Sequence, residues 1–339
     1  MAALAVTNPT LLDLARMTDP NGSIADIAEI LSQTNEILDD MTWEEGNLPT
    51  GHQSVIRTGL PSPTWRKLYG GVLPNKGTTS TVTDNCGMMV AYAEQDKKLV
   101  DMASDPAKFR MAEDRAHIEG MAQDLATRLF YGNQGTTPEH FNGFSMRYDA
   151  LTSTESAVSE NVISAGSVSG GDGASIWLVV WSPRTIFGIY PKGSKGGLQM
   201  VDKGVVTLED ASNGSNTGRM EAYRTVYNWD AGLVVRDWRF AVRIANIDKS
   251  ALTKDAATGA DLPDLMFQAM RKIPSLALGR PAFYMSRDMC AMLGRQTANL
   301  TKQSTLTGEM VGGKWVEKFH GIPVRRVDAL AADEATAVV

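Results

Sequence analysis

The sequence predicts an α+β fold built around one unusually long helix. Three observations support this class: a helical pattern from Pro106 to Tyr131, a β-patterned ribbon between residues 49 and 92, and β-rich segments after the helix. The ribbon has little apolar material from which to form a core of its own. The sequence therefore also indicates a chain that depends on a neighbour.

The long helix is predicted from its ends and from its apolar spacing. Ser104 and Asp105 offer N-cap oxygens, and Pro106 suits the first helical position. Gly132, followed by Asn133, supplies a C-terminal stop. The predicted buried stripe consists of Met111, Ile118, Ala122, Leu125 and Leu129, with the aliphatic stem of Arg115. At about 1.5 Å per residue, the helix would span about 39 Å.

The ribbon contains two predicted strands. His52 to Thr58 and Thr78 to Thr83 are rich in Val, Ile and Thr, and prolines and glycines break the intervening chain into turns. Its basic side chains lie near the middle of the ribbon and are Arg57, Arg66, Lys67 and Lys76. Two interpretations stay open from this segment alone: a solvated surface loop, or an arm that docks on another subunit.

Composition limits the possible functions. The chain has 339 residues, of which 43% are hydrophobic, so it can bury a sizeable core as two domains or as one domain with appendages. A net charge of -6 argues against tight nucleic-acid binding through a basic surface. The two cysteines, Cys86 and Cys290, indicate a reducing compartment rather than a disulfide framework. Without a long apolar run or a leader pattern, the protein is expected to be soluble and cytoplasmic when made.

The segments on either side of the helix and ribbon are predicted more coarsely. Residues 1–48 form a loose leader with one short amphipathic helix that begins at Ser23; this helix is either packed or part of a terminal arm. Polar composition predicts surface loops at residues 152–174 and 210–218. A buried strand is expected at Ile176 to Trp181 and half-buried antiparallel strands between Tyr223 and Ile247.

The tail is predicted to mix helices and strands. The expected elements are a helix from Leu262 to Ile273, a strand from Phe283 to Met285, a short helix capped by Ser286, and a strand from Ile322 to Val327.

Motifs that could support catalysis are incomplete. Gly308 and Gly313 followed by Lys314 have phosphate-loop spacing, but Trp315 replaces the hydroxyl residue that would hold magnesium, and a β-turn is the default interpretation. His117 and Glu119 match H-x-E of zinc deaminases without the cysteine pair that should follow. We therefore predict no enzyme activity, no cofactor and no metal site.

The order of several short motifs resembles that of tailed-bacteriophage major capsid proteins, which share the Hong Kong 97-type fold with encapsulins. A GLPSPTWR segment (59–66) enters an extended loop, and DKKLVD (96–101) leads into the helix. FNGF (141–144) follows the helix, and AFYMS (282–286) and FHGIPVR (319–325) lie near the end.

The resemblance implies a structural protein that self-assembles into pentamers and hexamers of an icosahedral head enclosing double-stranded DNA. Its location would be the virion, after assembly in the host cytoplasm. Portal and scaffolding proteins would be partners, a cement protein is a further candidate, and no membrane is involved. The alternatives are an encapsulin-like compartment around protein cargo and a soluble hydrolase.

The resemblance also implies a division of the chain. Residues 1–48 would be the N-terminal arm, 49–92 the extended loop, 93–250 mainly the peripheral domain with spine helix 105–131 and an insertion near 150–220, and 251–339 mainly the axial domain. In relatives, the extended loop lies across a neighbouring subunit. The candidate inter-subunit contacts are therefore Arg57, Trp65, Arg66, Lys67 and Lys76.

In some relatives, lysines of the extended loop form covalent bonds with asparagines of a neighbouring subunit. Lys67 or Lys76 with Asn299 as acceptor would be the candidates here. The sequence does not identify the buried acid that this reaction needs, so no crosslink is expected.

Overall fold

The computed structural model describes residues 33–151, 157–168, 171–209, 219–256, 259–298, 306–311, 314–330 and 334. The predicted helix after Ser23, the 210–218 loop and Asn299 lie outside these residues. The helices are α1 (Ile37–Asp40), α2 (Lys97–Met102), α3 (Pro106–Tyr131), α4 (Leu262–Lys272) and α5 (Arg287–Thr297). Three 3-10 turns are Ala157–Asn161, Trp238–Phe240 and Leu276–Leu278.

Thirteen strands are present in the described residues. They are β1 (Trp43–Glu45), β2 (Gly51–Gly59), β3 (Thr78–Asp96), β4 (Val162–Ser164), β5 (Gly173–Trp181), β6 (Ile186–Tyr190), β7 (Gln199–Glu209), β8 (Arg219–Val235), β9 (Ala241–Asp248), β10 (Arg280–Met285), β11 (Leu306–Val311), β12 (Lys314–Phe319) and β13 (Ile322–Arg326). The α+β class is confirmed.

Internal contacts divide the chain into two compact units. Among the described residues, the first contains residues 33, 88–125, 197–209 and 219–230, and the second contains the described parts of 34–87, 126–196 and 231–334. Three continuous elements, β3, α3 and β8, contribute residues to both units.

The long helix has the predicted bounds. It runs from Pro106 to Tyr131 over 26 residues. The Asp105 carboxylate accepts hydrogen bonds from the backbone N–H groups of Ala107 and Lys108, both at 3.1 Å, which satisfies two of the free donors in the first turn.

The predicted apolar stripe is correct in the second half of α3 and wrong in the first. Leu125 and Leu129 are buried, but Met111 is 57% exposed and Arg115 is also exposed. In the first unit, Arg110 and Asp114 face inward and have polar partners there. An apolar pattern cannot identify a buried face that contains paired charged residues.

These inward polar groups pair with β7 and β8. Arg110 donates to the Thr225 hydroxyl at 3.2 Å, forms an ion pair with Asp202 at 3.1 Å and lies over the Tyr223 ring. Burial raises the pKa of Asp114, although the neighbouring Tyr227 hydroxyl and the Arg110 charge oppose the shift. Beside them, a small core joins Met121 of α3 to Ala93 and Tyr227.

The second unit is built on a mixed sheet. Its strand order is β4-β9-β5-β10-β13-β12-β11, in which the β4–β9 and β10–β13 pairs are parallel and the others antiparallel. β6 pairs with β1 in parallel and with residues 232–235 of β8 in antiparallel orientation. All nine residues of β5 are buried.

Two predictions for the strands are wrong. Residues 231–235 of β8 and 241–247 of β9 are buried on both faces rather than half-buried, although both segments are antiparallel to their partners, β6 and β5, as predicted. The predicted 152–174 loop contains β4 and the start of β5 among its described residues. Polar side chains in these segments, such as Asn161, are buried because backbone carbonyls accept their hydrogen bonds.

The tail follows the prediction except at one cap. Ser286 precedes α5, but its side chain makes no capping hydrogen bond. The buried Gln296 amide joins α5 to the start of α4, because its Oε1 accepts from Leu262 N–H at 3.0 Å and its Nε2 donates to the Ala260 carbonyl at 3.0 Å.

An aromatic cluster holds the last turn of α3 within the second unit. The rings of Phe130, Phe144 and Trp177 have centroids 5.5 to 6.1 Å apart, and Trp181 contacts Phe144 at 6.1 Å. Gly143 lets the chain turn back closely, since a Cβ there would lie 2.6 Å from the Arg128 carbonyl oxygen.

A residue near the C-terminus is anchored in the second unit. The Glu334 carboxylate accepts from Tyr131 at 2.8 Å, Ser175 at 2.5 Å and Arg243 at 2.9 Å. Arg243 also donates to the Tyr148 carbonyl and lies 5.2 Å from the Trp177 ring centroid. The guanidinium is buried, so Glu334 is its charge partner in a site with little water.

Our first prediction concerns the apolar stripe. Leu125 is 1% exposed, so Leu125→Asp places a carboxylate in an apolar environment and should lower the free energy of unfolding by about 3 kcal/mol or more. We expect insoluble protein or a much lower Tm. The matched control is Met111→Asp, on the exposed side of the same helix. Equal solubility and Tm for the two variants would contradict the assignment of the buried face.

Our second prediction concerns the C-terminal anchor. Glu334→Ala leaves the Arg243 charge buried without its partner and should cost about 3 to 5 kcal/mol of unfolding free energy, measured by denaturant titration. The control is Glu309→Ala, which removes a carboxylate that is 57% exposed and paired with Lys318, and should cost about 1 kcal/mol or less. If Glu334→Ala lowers the free energy of unfolding no more than Glu309→Ala does, the Glu334 carboxylate does not anchor this segment.

Candidate assembly surface

The ribbon is an antiparallel hairpin with a long connecting segment. β2 and β3 pair from Gly51 with Asn85 to Gly59 with Thr78, with a bulge between Arg57 and Gly59. Residues 60–77 connect the strands, and we call this segment the tip. The predicted pair of strands is confirmed.

The base of the hairpin is firmly held within the second unit. Arg147 forms an ion pair with Asp84 at 2.5 Å, and the Asp84 side chain is only 5% exposed. The Asn47 amide pairs with both backbone groups of Gln53, at 2.7 and 2.8 Å. Gly51 permits close strand approach, since a Cβ there would lie 2.1 Å from the Asp84 carbonyl oxygen. A rigid base therefore presents the tip.

The tip exposes large apolar side chains. Trp65 is 100% exposed, Tyr69 97%, Leu68 88% and Leu73 87%. A short turn closes where Gly70 N–H donates to the Lys67 carbonyl at 3.0 Å. Several large, strongly exposed apolar side chains within one short segment indicate an interaction surface.

The charge of the tip is entirely positive. Arg66, Lys67 and Lys76 are exposed, and residues 60–77 contain no Asp or Glu. The tip therefore fits a surface that combines apolar side chains with carboxylates.

The five candidate contact residues fall into two groups. Trp65, Arg66, Lys67 and Lys76 belong to the tip, whereas Arg57 lies on β2 and lines a cleft with Arg184, Arg236 and Arg239. Sequence reasoning missed the last three because they are far from Arg57 in the chain and carry no motif. It also missed the exposed Leu68, Tyr69 and Leu73, although the prolines and glycines around them indicated that no core could form there.

The near-miss motifs have structural explanations. β11 and β12 pair in antiparallel orientation, from Leu306 with Phe319 to Val311 with Lys314, whereas a phosphate loop leads from a strand into a helix. Glu119 accepts hydrogen bonds from Gln33 and Gln123. Among the described residues, no cluster of His, Cys, Asp and Glu could hold a metal ion.

Two further observations concern the cysteines and the helices. Neither Cys86 nor Cys290 forms a disulfide with a described residue, and burial raises the pKa of the Cys290 thiol to about 12. No helix in the described part of the chain combines the length and apolar character needed to cross a membrane.

Comparison with solved structures gives a strong match to a bacteriophage structure. A cryo-EM structure of bacteriophage Epsilon15 contains a chain that is 35% identical to this one, with a TM-score of 0.81 and coverage of 100% of both chains. The capsid of bacteriophage JBD30 matches at 9% identity and TM-score 0.45, covering 91% of this chain and 96% of that one. The SrpI encapsulin of Synechococcus elongatus matches at 10% identity and TM-score 0.37, covering 73% of this chain and 93% of that one. No curated protein matches the chain.

A long helix, an extended hairpin with an exposed tip and the Epsilon15 match together define a phage capsid subunit with the Hong Kong 97-type fold. The profile of the family "Major capsid protein GP7" matches residues 19–338. The chain belongs to this family of major capsid proteins.

The resemblance inferred from the sequence is thus confirmed, as are the structural role and the location in the virion capsid. The encapsulin alternative is less supported, because the family is viral and the encapsulin match is too weak to support an argument.

Proposed function

We propose that the tip docks on a neighbouring copy of this chain and thereby links subunits of the shell. The single observation behind this proposal is the exposed apolar surface of the tip, with Trp65 completely exposed on a hairpin whose base is held by buried polar contacts. A tip of this composition has nothing to bury against within its own sequence. A second subunit would provide the missing contact.

The free energies of apolar burial and of ion pairing indicate which side chains of the tip contribute most to docking. Each large apolar side chain that moves from water into a contact contributes about 1.5 to 3 kcal/mol. An exposed ion pair contributes about 0 to 1 kcal/mol. Burial of Leu68 and Leu73 should therefore supply most of the affinity, while Arg66 and Lys67 select the orientation.

The wider assembly follows from this contact as part of the same proposal. Copies form pentamers and hexamers of an icosahedral head that encloses double-stranded DNA, with portal and scaffolding proteins as partners and a cement protein as a further candidate. The wall binds no specific DNA sequence, and the subunit performs no catalysis. The repeated heterologous contact of the tip supports such growth around local axes.

We also propose the domain assignment given by the resemblance. The first unit, with most of α3 packed beside β7 and β8, supports a peripheral role for much of 93–250. The mixed sheet that includes β10 to β13 supports an axial role for 251–339.

The tip is tested by two double variants in an assembly assay. Trp65→Ser with Leu73→Ser removes apolar contact area, and we expect no particles at any salt concentration. Arg66→Glu with Lys67→Glu replaces attraction by repulsion, and we expect soluble subunits or small oligomers, with partial recovery as salt screens the charges. The Tm of the subunit should not change, because none of these side chains is part of its core.

Sedimentation and electron microscopy measure the outcome. The control for the charge change is Lys254→Glu with Arg295→Glu, at exposed positions outside the hairpin. If the variant with Trp65→Ser and Leu73→Ser forms normal shells, apolar contacts of the tip are not needed for assembly.

We further predict that the shell contains no covalent crosslinks. Lys67 and Lys76 are exposed in the subunit, and no carboxylic acid of the tip could serve as the catalyst that a lysine–asparagine bond needs. Boiled, denatured particles should therefore run as a single 36.7 kDa band. A ladder of multimers that disappears in Lys67→Arg or Lys76→Arg would disprove this prediction.

A further inference from the structure

An open cleft lies beside β2 in the second unit. Its volume is about 680 Å³, and its lining includes Arg57, Arg184, Arg236 and Arg239 together with Asp237 and Trp238. Four arginines and one aspartate give this small region a formal charge of +3 in a chain whose net charge is -6.

The one carboxylate among the residues that line the cleft, Asp237, is already paired with Arg239. Arg239 donates to both Asp237 oxygens, at 3.0 and 2.7 Å, and this hydrogen-bonded pairing raises the pKa of Arg239. Within the described residues, the side chains of Arg57, Arg184 and Arg236 have no hydrogen-bonded or ionic partner. Three guanidinium groups therefore line the cleft without a counter-charge from any other described residue.

The backbone fixes two of these arginines beside each other. Thr185 is buried, and its hydroxyl donates to the Val180 carbonyl at 2.7 Å. The Thr185 carbonyl accepts from the backbone N–H groups of Arg236 at 2.9 Å and Asp237 at 3.2 Å. Because the turn with Arg184 is thus bonded to the turn with Arg236, the two cations are held together before any ligand arrives. Preorganisation of this kind reduces the entropy lost on binding.

The walls of the cleft indicate the class of ligand. Val55 is 62% exposed and Leu60 is 78% exposed, so apolar surface lies next to the arginines. Guanidinium groups recognise carboxylates by paired hydrogen bonds. A polypeptide with both carboxylates and aliphatic side chains matches both features. Duplex DNA matches less well, because it offers densely spaced phosphates to an open basic surface rather than to a recess with apolar walls.

The first 32 residues of the chain have this composition. Their only charged side chains are Asp13, Asp19, Asp26 and Glu29 against Arg16, a formal charge of -3, which is half of the net -6 of the chain. The same segment is rich in leucine and isoleucine. Its charge is equal and opposite to that of the cleft.

We propose that the arginine cleft binds the acidic N-terminal segment, residues 1–32, of a neighbouring copy of this chain. The contact goes beyond docking of the tip and rests on the proposed assembly of copies. It adds a second, mainly electrostatic link between subunits, and this link should weaken as salt rises.

A charge-swap experiment on the full-length chain tests the proposal. The cleft variant is Arg184→Glu with Arg236→Glu, and the segment variant is Asp26→Lys with Glu29→Lys. Each alone should reduce particle yield at least about tenfold. The combined variant restores opposite charges, and its yield should return to within about threefold of the wild type. Lys254→Glu with Arg295→Glu is the matched control and should assemble normally.

A second measurement reports on the cleft itself. Phenylglyoxal modifies accessible arginines, and mass spectrometry gives the rate at each position. In wild-type particles, Arg184 and Arg236 should react at least about tenfold more slowly than Arg295, and the segment variant, in whatever assembly state it reaches, should lose this protection. The arginines that are measured lie outside the tip, so this measurement distinguishes failure of the cleft contact from failure of tip docking.

Three results would overturn the proposal. In the first, the combined variant assembles no better than either parent. In the second, the cleft variant forms normal shells with the wild-type yield. In the third, the cleft variant forms shells that retain less DNA, which would identify nucleic acid as the ligand of these arginines.

Discussion

The aromatic cluster at the end of α3 is the contact on which the second unit depends. Phe130, Phe144 and Trp177 join the last turn of the helix to β5, the strand that is buried along its whole length. Aromatic pairs in this geometry contribute beyond their buried area, and their edges and faces restrict how the helix can rotate. Gly143 permits the close return of the chain that brings Phe144 into the cluster. Any bulkier residue there would separate helix and strand.

The residues that hold the subunit together are different from those of the tip, which we propose as the assembly contact. Side chains that hold the subunit together, such as Leu125, Trp177 and Arg243, are buried and have partners within the chain. In the tip, by contrast, the large apolar side chains are exposed to water, and the segment has only a few local hydrogen bonds. A subunit organised in this way can be stable before assembly and still have a strong drive to associate, because the two requirements use different residues.

Features that depend on neighbouring residues in the chain could be predicted from the sequence, whereas features that depend on distant residues could not. The bounds of α3 were predictable because Asp105, Pro106 and Gly132 act locally. The first half of its buried face was not, because Arg110 and Asp114 find partners on β7 and β8 that are about a hundred residues away. The tip could be predicted from its breakers and its lack of core. The cleft could not, since hydrogen bonds around Thr185 bring its arginines together from distant segments.

The length of β3 has a mechanical consequence. This strand of 19 residues, about 60 Å at 3.3 Å per residue, begins at the tip and continues beyond the hairpin to lie next to β8. A pull on the tip is therefore transmitted along an unbroken backbone and loads the hydrogen bonds to β8 in shear, so that many must break together. If the neighbouring subunit holds the tip, the hairpin acts as a tether under tension. Outward pressure from packed contents would then be resisted by covalent chain rather than by contact surfaces alone.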